Sequence, residues 1–424
     1  MTEPWPEVPL TAVADLVRGV SYPKTDSRDE PAAGYVPVLR ATNIQDARLV
    51  LGRELVYVAE SNISPEQRLR PGDIVVATSS GSKHLVGKSA LLHAQWSGSF
   101  GAFCAGIRPK PNIESRYLAY FLQSPRYWKE IGKKALGVNI NNLRRGDLET
   151  LSLPLPPAEA QREIVAEIEK QFSRLDEAVA NLQRVKTNLR RYRASVLSDA
   201  FGGRRSGSDD ASSDPTNFEL PEGWIWRTYA EIGEVTTGFT PSTTEAANFG
   251  GDIPFFKPTD LDAGDNVRQA RENLSEQGLA RGRRLAAGSV LVTCIGATIG
   301  KTGLAQVACA TNQQINAVSP IAGLADSRFI FWWTVSPRGQ RQIHSNASAT
   351  TLPIINKSKF SALAVPLPPL AEQRRIVGEI DRRLSIVREI EAEVDANLRR
   401  ASSLRSSVLS GVFAVDGLDS ISKA

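Results

Sequence analysis

Apolar residues recur at steps of three and four along two stretches of the chain. In the first, Ile164, Ile168, Phe172, Leu175, Val179, Leu182, Val185, Leu189, Tyr192 and Val196 fall on one helical stripe. In the second, Ile376, Ile380, Leu384, Val387, Ile390, Val394, Leu398, Ala401, Leu404 and Val408 do the same. Each stretch opens on a proline pair, Pro156-Pro157 or Pro368-Pro369, and no proline follows for more than forty residues. The pattern predicts two helices of ~40 residues, each ~60 Å long, with the prolines in the first turn where a missing N–H costs nothing. A single-stripe helix of that length is not stable alone. The two are therefore expected to pack on each other, antiparallel, as a coiled coil with globular parts at opposite ends. Elsewhere the β-branched runs 74–77 and 290–293 follow a Pro-Gly or Ala-Gly turn and read as buried strands. Segments 116–123 and 328–335 are aromatic-rich and stop at Ser-Pro, as short helices do.

The two helical stretches are copies. From Leu153 and from Val365, an offset of 212 residues, the sequences align without a gap for 51 positions, 19 of them identical. The repeat continues more weakly upstream. Gly19 corresponds to Gly238, residues 35–43 resemble 252–260, LRPGDIVV at 69–76 matches LAAGSVLV at 285–292, and 117–126 matches 329–338. The chain is read as two half-proteins in tandem, each a divergent α+β globular part followed by a better-preserved helix.

At 424 residues, 41% hydrophobic and 23% charged, the chain suits about two to four globular domains and is neither disordered nor a simple rod. No apolar run reaches the ~18 residues of a spanning helix, and MTEPWPEVPL does not read as a signal peptide. Cys104, Cys294 and Cys309 form no CxxC pair. These features fit a cytoplasmic protein without disulfides or a zinc cage. The net charge of +5 is uneven: +4 over residues 1–152, +3 over 153–205, −2 over 206–364 and zero over 365–424.

Candidate chemistry is sparse. Gly296 and Gly300 before Lys301-Thr302 have three residues between them, and Gly81 and Gly87 before Lys88-Ser89 have five. A phosphate loop needs four, so that successive N–H groups wrap the phosphates. A lysine at equivalent turns of two domains is better read as a phosphate contact to nucleic acid or as a solvated turn. His84, His93 and His344 have no metal-ligand spacing. No GxSxG, strand-following GxGxxG or Asn-Pro-Pro-aromatic motif is present. Nothing supports a catalytic or metal site in the chain itself.

Two related but divergent domains on a helical spacer form a measuring device, able to read two short sequences at a fixed separation; DNA sites on one face lie about 34 Å apart per turn. With that architecture, the segment Pro366 to Val377, PLPPLAEQRRIV, resembles a motif of the DNA-specificity subunits of type I restriction-modification systems. Leu155 to Val165 is a looser copy in which Ala158-Glu159-Ala160-Gln161-Arg162-Glu163 departs from the AEQRR pattern, and residues 99–103 and 310–317 also resemble family blocks. The resemblance covers essentially the whole chain. It implies a tandem pseudo-twofold α+β fold: target-recognition domains at 1–152 and 218–364, helical spacers at 153–203 and 365–415, a linker at 204–217 and a tail at 416–424. It also implies a non-catalytic subunit that reads a bipartite, asymmetric double-stranded DNA sequence. Two modification subunits carrying S-adenosylmethionine would methylate adenine N6, and restriction subunits using ATP and Mg would join where they exist. No cofactor is implied in this chain. The alternative is a coiled-coil scaffold that binds proteins rather than a DNA sequence.

Base readout calls for Arg, Lys, Asn, Gln, Ser and Thr on loops. The candidates are Arg40, Thr42, Asn43, Ser80, Ser82, Lys83 and Lys88 in the first half, and Lys257, Thr259, Lys301, Asn312 and Gln313 in the second. Lysines would contact phosphates, which position without specifying. The motif residues Gln161, Arg162, Gln373, Arg374 and Arg375 are the candidates for contacts with partner subunits.

Overall fold

The apolar stripes form two uninterrupted helices, Ala158–Ala200 of 43 residues and Leu370–Phe413 of 44, in a computed structural model that describes residues 5–80, 85–134, 141–201, 219–348 and 352–414. The segments expected as linker and tail lie outside the described residues. The chain divides into one unit of residues 1–182 and 396–424 and another of residues 183–395, so each contains the start of one long helix and the end of the other. The prolines precede the helices rather than occupying their first turn. The carbonyls of Pro157 and Pro369 accept from the N–H groups of Gln161 and Gln373, at 3.0 Å each.

In the first unit, an antiparallel sheet runs in the order Ser89–Leu91, Ile74–Ala77, Cys104–Pro109, Ala14–Arg18. Ile74–Ala77 is buried at all four positions, as its unalternating IVVA run requires. A second sheet pairs Ser99–Phe100 in parallel with Tyr35–Leu39 and then continues to Val56–Ala59. Helices Ser115–Phe121 and Pro125–Lys134 pack on the first sheet through Tyr117, Leu118, Phe121 and Tyr127. The same core takes Ile164, Ile168 and Phe172 from one long helix and Leu409, Val412 and Phe413 from the other.

The second unit repeats this plan. Its main sheet runs Thr302–Leu304, Val290–Thr293, Ile315–Pro320, Gly233–Thr237, the same order with the same antiparallel pairings. Phe249–Phe256 pairs in parallel with Ala310–Thr311, as Tyr35–Leu39 does with Ser99–Phe100. The core joins Phe329, Trp332 and Trp333 to Val196, Leu197 and Phe201 and to Ile376, Ile380 and Leu384. Within this unit the long helices run antiparallel. Lys186 donates to Asp395 at 2.7 Å, while Val196 and Asp199, farther along, share a cavity wall with Arg375 and Ile376, farther back.

The duplication thus reaches through the divergent globular parts. Gly19 and Gly238 show why these two positions match. A Cβ on either would meet a backbone oxygen, Gly101 O or Asn312 O, at 2.1 Å, so only glycine lets these chain segments lie flush. The stripes need one correction: Val185, Tyr192, Ile390 and Leu404 are exposed. A helix pair shields only one side of each helix, and a strict three-four spacing drifts off that side over ten positions.

Candidate nucleic-acid interface

Equivalent turns of the two units present the candidate DNA-facing residues. Where Tyr35–Leu39 ends, the Arg40 N–H donates to Asn43 Oδ1 at 2.8 Å and closes a turn. Where Phe249–Phe256 ends, the Lys257 N–H donates to Asp260 Oδ2 at 2.8 Å and closes the same turn. Arg40 Nη2 donates to the Glu54 carbonyl at 3.1 Å, and Lys257 Nζ pairs with Glu272 at 2.8 Å. Thr42 and Thr259 are exposed on these turns.

Asn43 is a correction. It is 1% exposed, and its Nδ2 donates to the carbonyls of Val50 at 3.3 Å and Arg53 at 3.0 Å. With its amide wholly committed, it shapes the loop and does not face a ligand. Asn312 is a second correction: it is buried, and both ends of its amide bond Gln314. Its neighbour Gln313 is exposed and accepts from Thr240 Oγ1. Ser80 lies on the short strand Ser79–Ser80, paired with Asn141–Asn142. Ser82 and Lys83 lie outside the described residues.

The Gly-Lys pairs close equivalent hairpins. Ala77 N–H donates to Lys88 O and Gly87 N–H to Ala77 O; Thr293 N–H donates to Lys301 O and Gly300 N–H to Thr293 O, all at 2.8 Å. Both glycines are left-handed, with φ +89° and +85°. The N–H groups of Ile299, Gly300 and Lys301 are all used inside this turn, so these three are not offered to a nucleotide phosphate. Lys301 Nζ rests on Asp262 at 2.6 Å.

The helix-start motif behaves differently from expectation. Gln161 and Gln373 are buried and face inward rather than toward a partner. Gln161 accepts from the Glu114 N–H at 2.9 Å and donates to the Pro156 carbonyl at 2.9 Å. Gln373 accepts from the Asp326 N–H at 2.7 Å and donates to the carbonyls of Leu324 at 3.0 Å and Pro368 at 2.8 Å. Each glutamine bolts a long helix to the cap of the aromatic helix of its own unit. Arg162, Arg374 and Arg375 stay exposed, with Arg375 bonded to Glu372. Gln373→Ala should lower stability by about 1–3 kcal/mol by stranding buried partners, whereas Arg374→Ala should stay within about 0.5 kcal/mol. Urea midpoints of the two variants check this.

A second tie escaped the sequence reading. Arg116 pairs with Glu169 at 3.2 Å, and Arg328 with Asp381 at 2.7 Å, joining aromatic helix to long helix in each unit. Both partners of one pair sit 212 residues from their counterparts, so comparison at the fixed offset would have found them.

Cys104, Cys294 and Cys309 are free and buried, and burial pushes each thiol up to about 12, away from nucleophile or ligand chemistry. Among the described residues, no three His, Cys, Asp or Glu side chains gather as a metal site, and no helix is long and apolar enough to cross a membrane.

Comparison with known proteins agrees with this geometry. The sequence profile of the type I restriction modification DNA specificity domain matches residues 2–186 and again 221–397. The specificity subunit of the type I restriction enzyme StySPI of Salmonella potsdam is 27% identical over 97% of this chain and 89% of its own length. That of EcoKI of Escherichia coli K12 is 28% identical over the same shares. Among solved structures, one from work on complex assembly and conformational transition of the type I R-M system superimposes with a TM-score of 0.73 at 21% identity, covering 97% of this chain and 98% of that one. The HsdS subunit from Thermoanaerobacter tengcongensis follows at TM-score 0.51 and 20% identity, covering 97% of each. Two copies of one domain plan, each with a long helix, thus meet a family profile that matches the chain twice: the chain belongs to the type I restriction modification DNA specificity domain family.

Proposed function

We propose that this chain is the sequence-reading subunit of a type I restriction-modification complex, without catalysis of its own, and that each unit reads one part of a bipartite DNA target. The observation that carries the reading is repetition with substitution. The same turn bears Arg40 in one unit and Lys257 in the other, while the same hairpin keeps a lysine in both, Lys88 and Lys301, and the frames behind them match bond for bond. A shared scaffold with exchanged polar tips is what two readers of different short sequences require. Arg40, Thr42, Ser80 and Lys88, and in the second unit Lys257, Thr259, Lys301 and Gln313, are the proposed contacts. The lysines, now resting on Glu272 and Asp262, would exchange those carboxylates for phosphates. The exposed Arg162, Arg374 and Arg375 are proposed for the partner side. In this reading two modification subunits bring S-adenosylmethionine to adenine N6, and restriction subunits use ATP and Mg.

Filter binding by this chain co-expressed with its modification subunits tests the reading. Sequence-dependent retention of duplex DNA that weakens steeply with salt is expected. Binding without sequence preference and without methylation contradicts it.

A further inference from the structure

The most exposed large apolar side chain among the described residues is Phe103, at 68%. Its backbone is firmly held. Cys104 N–H donates to Gly101 O and Gly101 N–H to Leu39 O, both at 2.8 Å, while the Phe103 carbonyl accepts from Thr78 N–H at 2.8 Å and Ser79 N–H at 3.2 Å. The ring therefore stands on a fixed turn. It borders a cavity of about 270 Å³ that it shares with Tyr22 and Arg40. The Phe103 backbone carbonyl is tied to the start of the Ser79–Ser80 strand.

The second unit has the same turn. Ile315 N–H donates to Asn312 O at 3.1 Å, Asn312 N–H to Phe256 O at 3.2 Å, and the Gln314 carbonyl accepts from Cys294 N–H at 2.7 Å. Gln314 thus occupies the place of Phe103; its Oε1 accepts from Asn312 Nδ2 at 2.9 Å, so its Nε2 is the end offered to a base acceptor. One scaffold position carries an apolar ring in one unit and an amide in the other.

We propose that this position determines specificity: the Phe103 ring takes a thymine C5-methyl group in the major groove, and Gln314 reads a hydrogen-bonding base edge from the same place. The inference rests on the DNA-reading function proposed above. The charge beside the ring supports DNA as its occupant. An apolar residue beside a guanidinium, Arg40, matches the edge of an A·T pair, where a methyl lies next to an acceptor oxygen.

The test uses the complex with co-expressed modification subunits, on duplexes carrying its own methylation motif. Thymines are replaced one at a time by deoxyuridine, which lacks only the methyl group. One such replacement, in one half of the motif, should weaken binding by wild type about four-fold, the worth of one apolar carbon withdrawn from water. Phe103→Ala should melt like wild type, bind both duplexes alike and relax methylation at that position alone, and Phe103→Leu should restore part of the methyl sensitivity. If wild type reads its motif but senses no thymine methyl, or Phe103→Ala keeps the full preference, the assignment is overturned and the DNA-reading function stands. If Phe103→Ala folds but no longer joins the modification subunits, the ring is a protein contact and the assignment is equally overturned. If wild type shows no sequence preference at all, it is the DNA-reading function that fails.

Discussion

Phe413→Ala should destabilise the first unit by about 3–5 kcal/mol, the usual cost of deleting a fully buried aromatic ring. Phe413 closes the second long helix, yet its core lies among residues of the N-terminal globular part. Its ring centroid is 5.3 Å from Tyr117 and 5.5 Å from Phe121, both edge-on or tilted, and the side chain is fully buried. The second unit shows the matching arrangement: Phe201, at the end of the first long helix, packs 5.3 Å from Phe329 and 5.4 Å from Trp333. Chemical denaturation followed by fluorescence should resolve an early transition for the first unit, with that of the second little changed. Leu404→Ala, on the exposed side of the same helix, should shift neither by more than about 0.5 kcal/mol. Equal loss in both variants would contradict this packing.

The second large effect is expected at Arg108. Its guanidinium grips Asp73 with two bonds, Nε to Oδ1 at 2.9 Å and Nη2 to Oδ2 at 2.7 Å, and also donates to the carbonyls of Glu66 and Arg68. The Asp73 bond holds the Arg108 proton more tightly than in a free guanidinium. The Asp73 side chain is almost completely buried. Arg108→Ser therefore leaves a buried carboxylate without its cation, at a cost of about 3–5 kcal/mol. The second unit supplies the remedy. Where the first has Asp73 and Arg108, it has Ser289 and Ser319, whose hydroxyls meet at 2.8 Å. The double variant Asp73→Ser/Arg108→Ser should recover more than half of the loss, because removing both charges costs far less than removing one. Urea unfolding of the single and double variants measures the recovery. A double variant no more stable than the single one would show that the pair is not the source of the cost.

The helical stretches and the tandem plan were legible because both copies keep one spacing without a gap. The globular sheets were legible only as isolated buried runs, since pairing order is set by tertiary contacts that no local period records. The motif misled at Gln161 and Gln373, which were expected to contact partner subunits; the helix start is pressed against another helix cap, whose orphan backbone groups need a buried amide. Asn43 and Asn312 misled for a related reason: an asparagine that could face a base can equally close its own turn. Phe103 lay in a segment already matched to the family, but its exposure depends on a turn pinned by residues 78 and 79, which sequence does not reveal.

The most direct test of the two-reader account is methylation mapping of the complex after residues 1–150 are exchanged for those of another family member. The account predicts a motif in which one half changes, while the other half keeps its bases. A motif changed in both halves, or in neither, would contradict it.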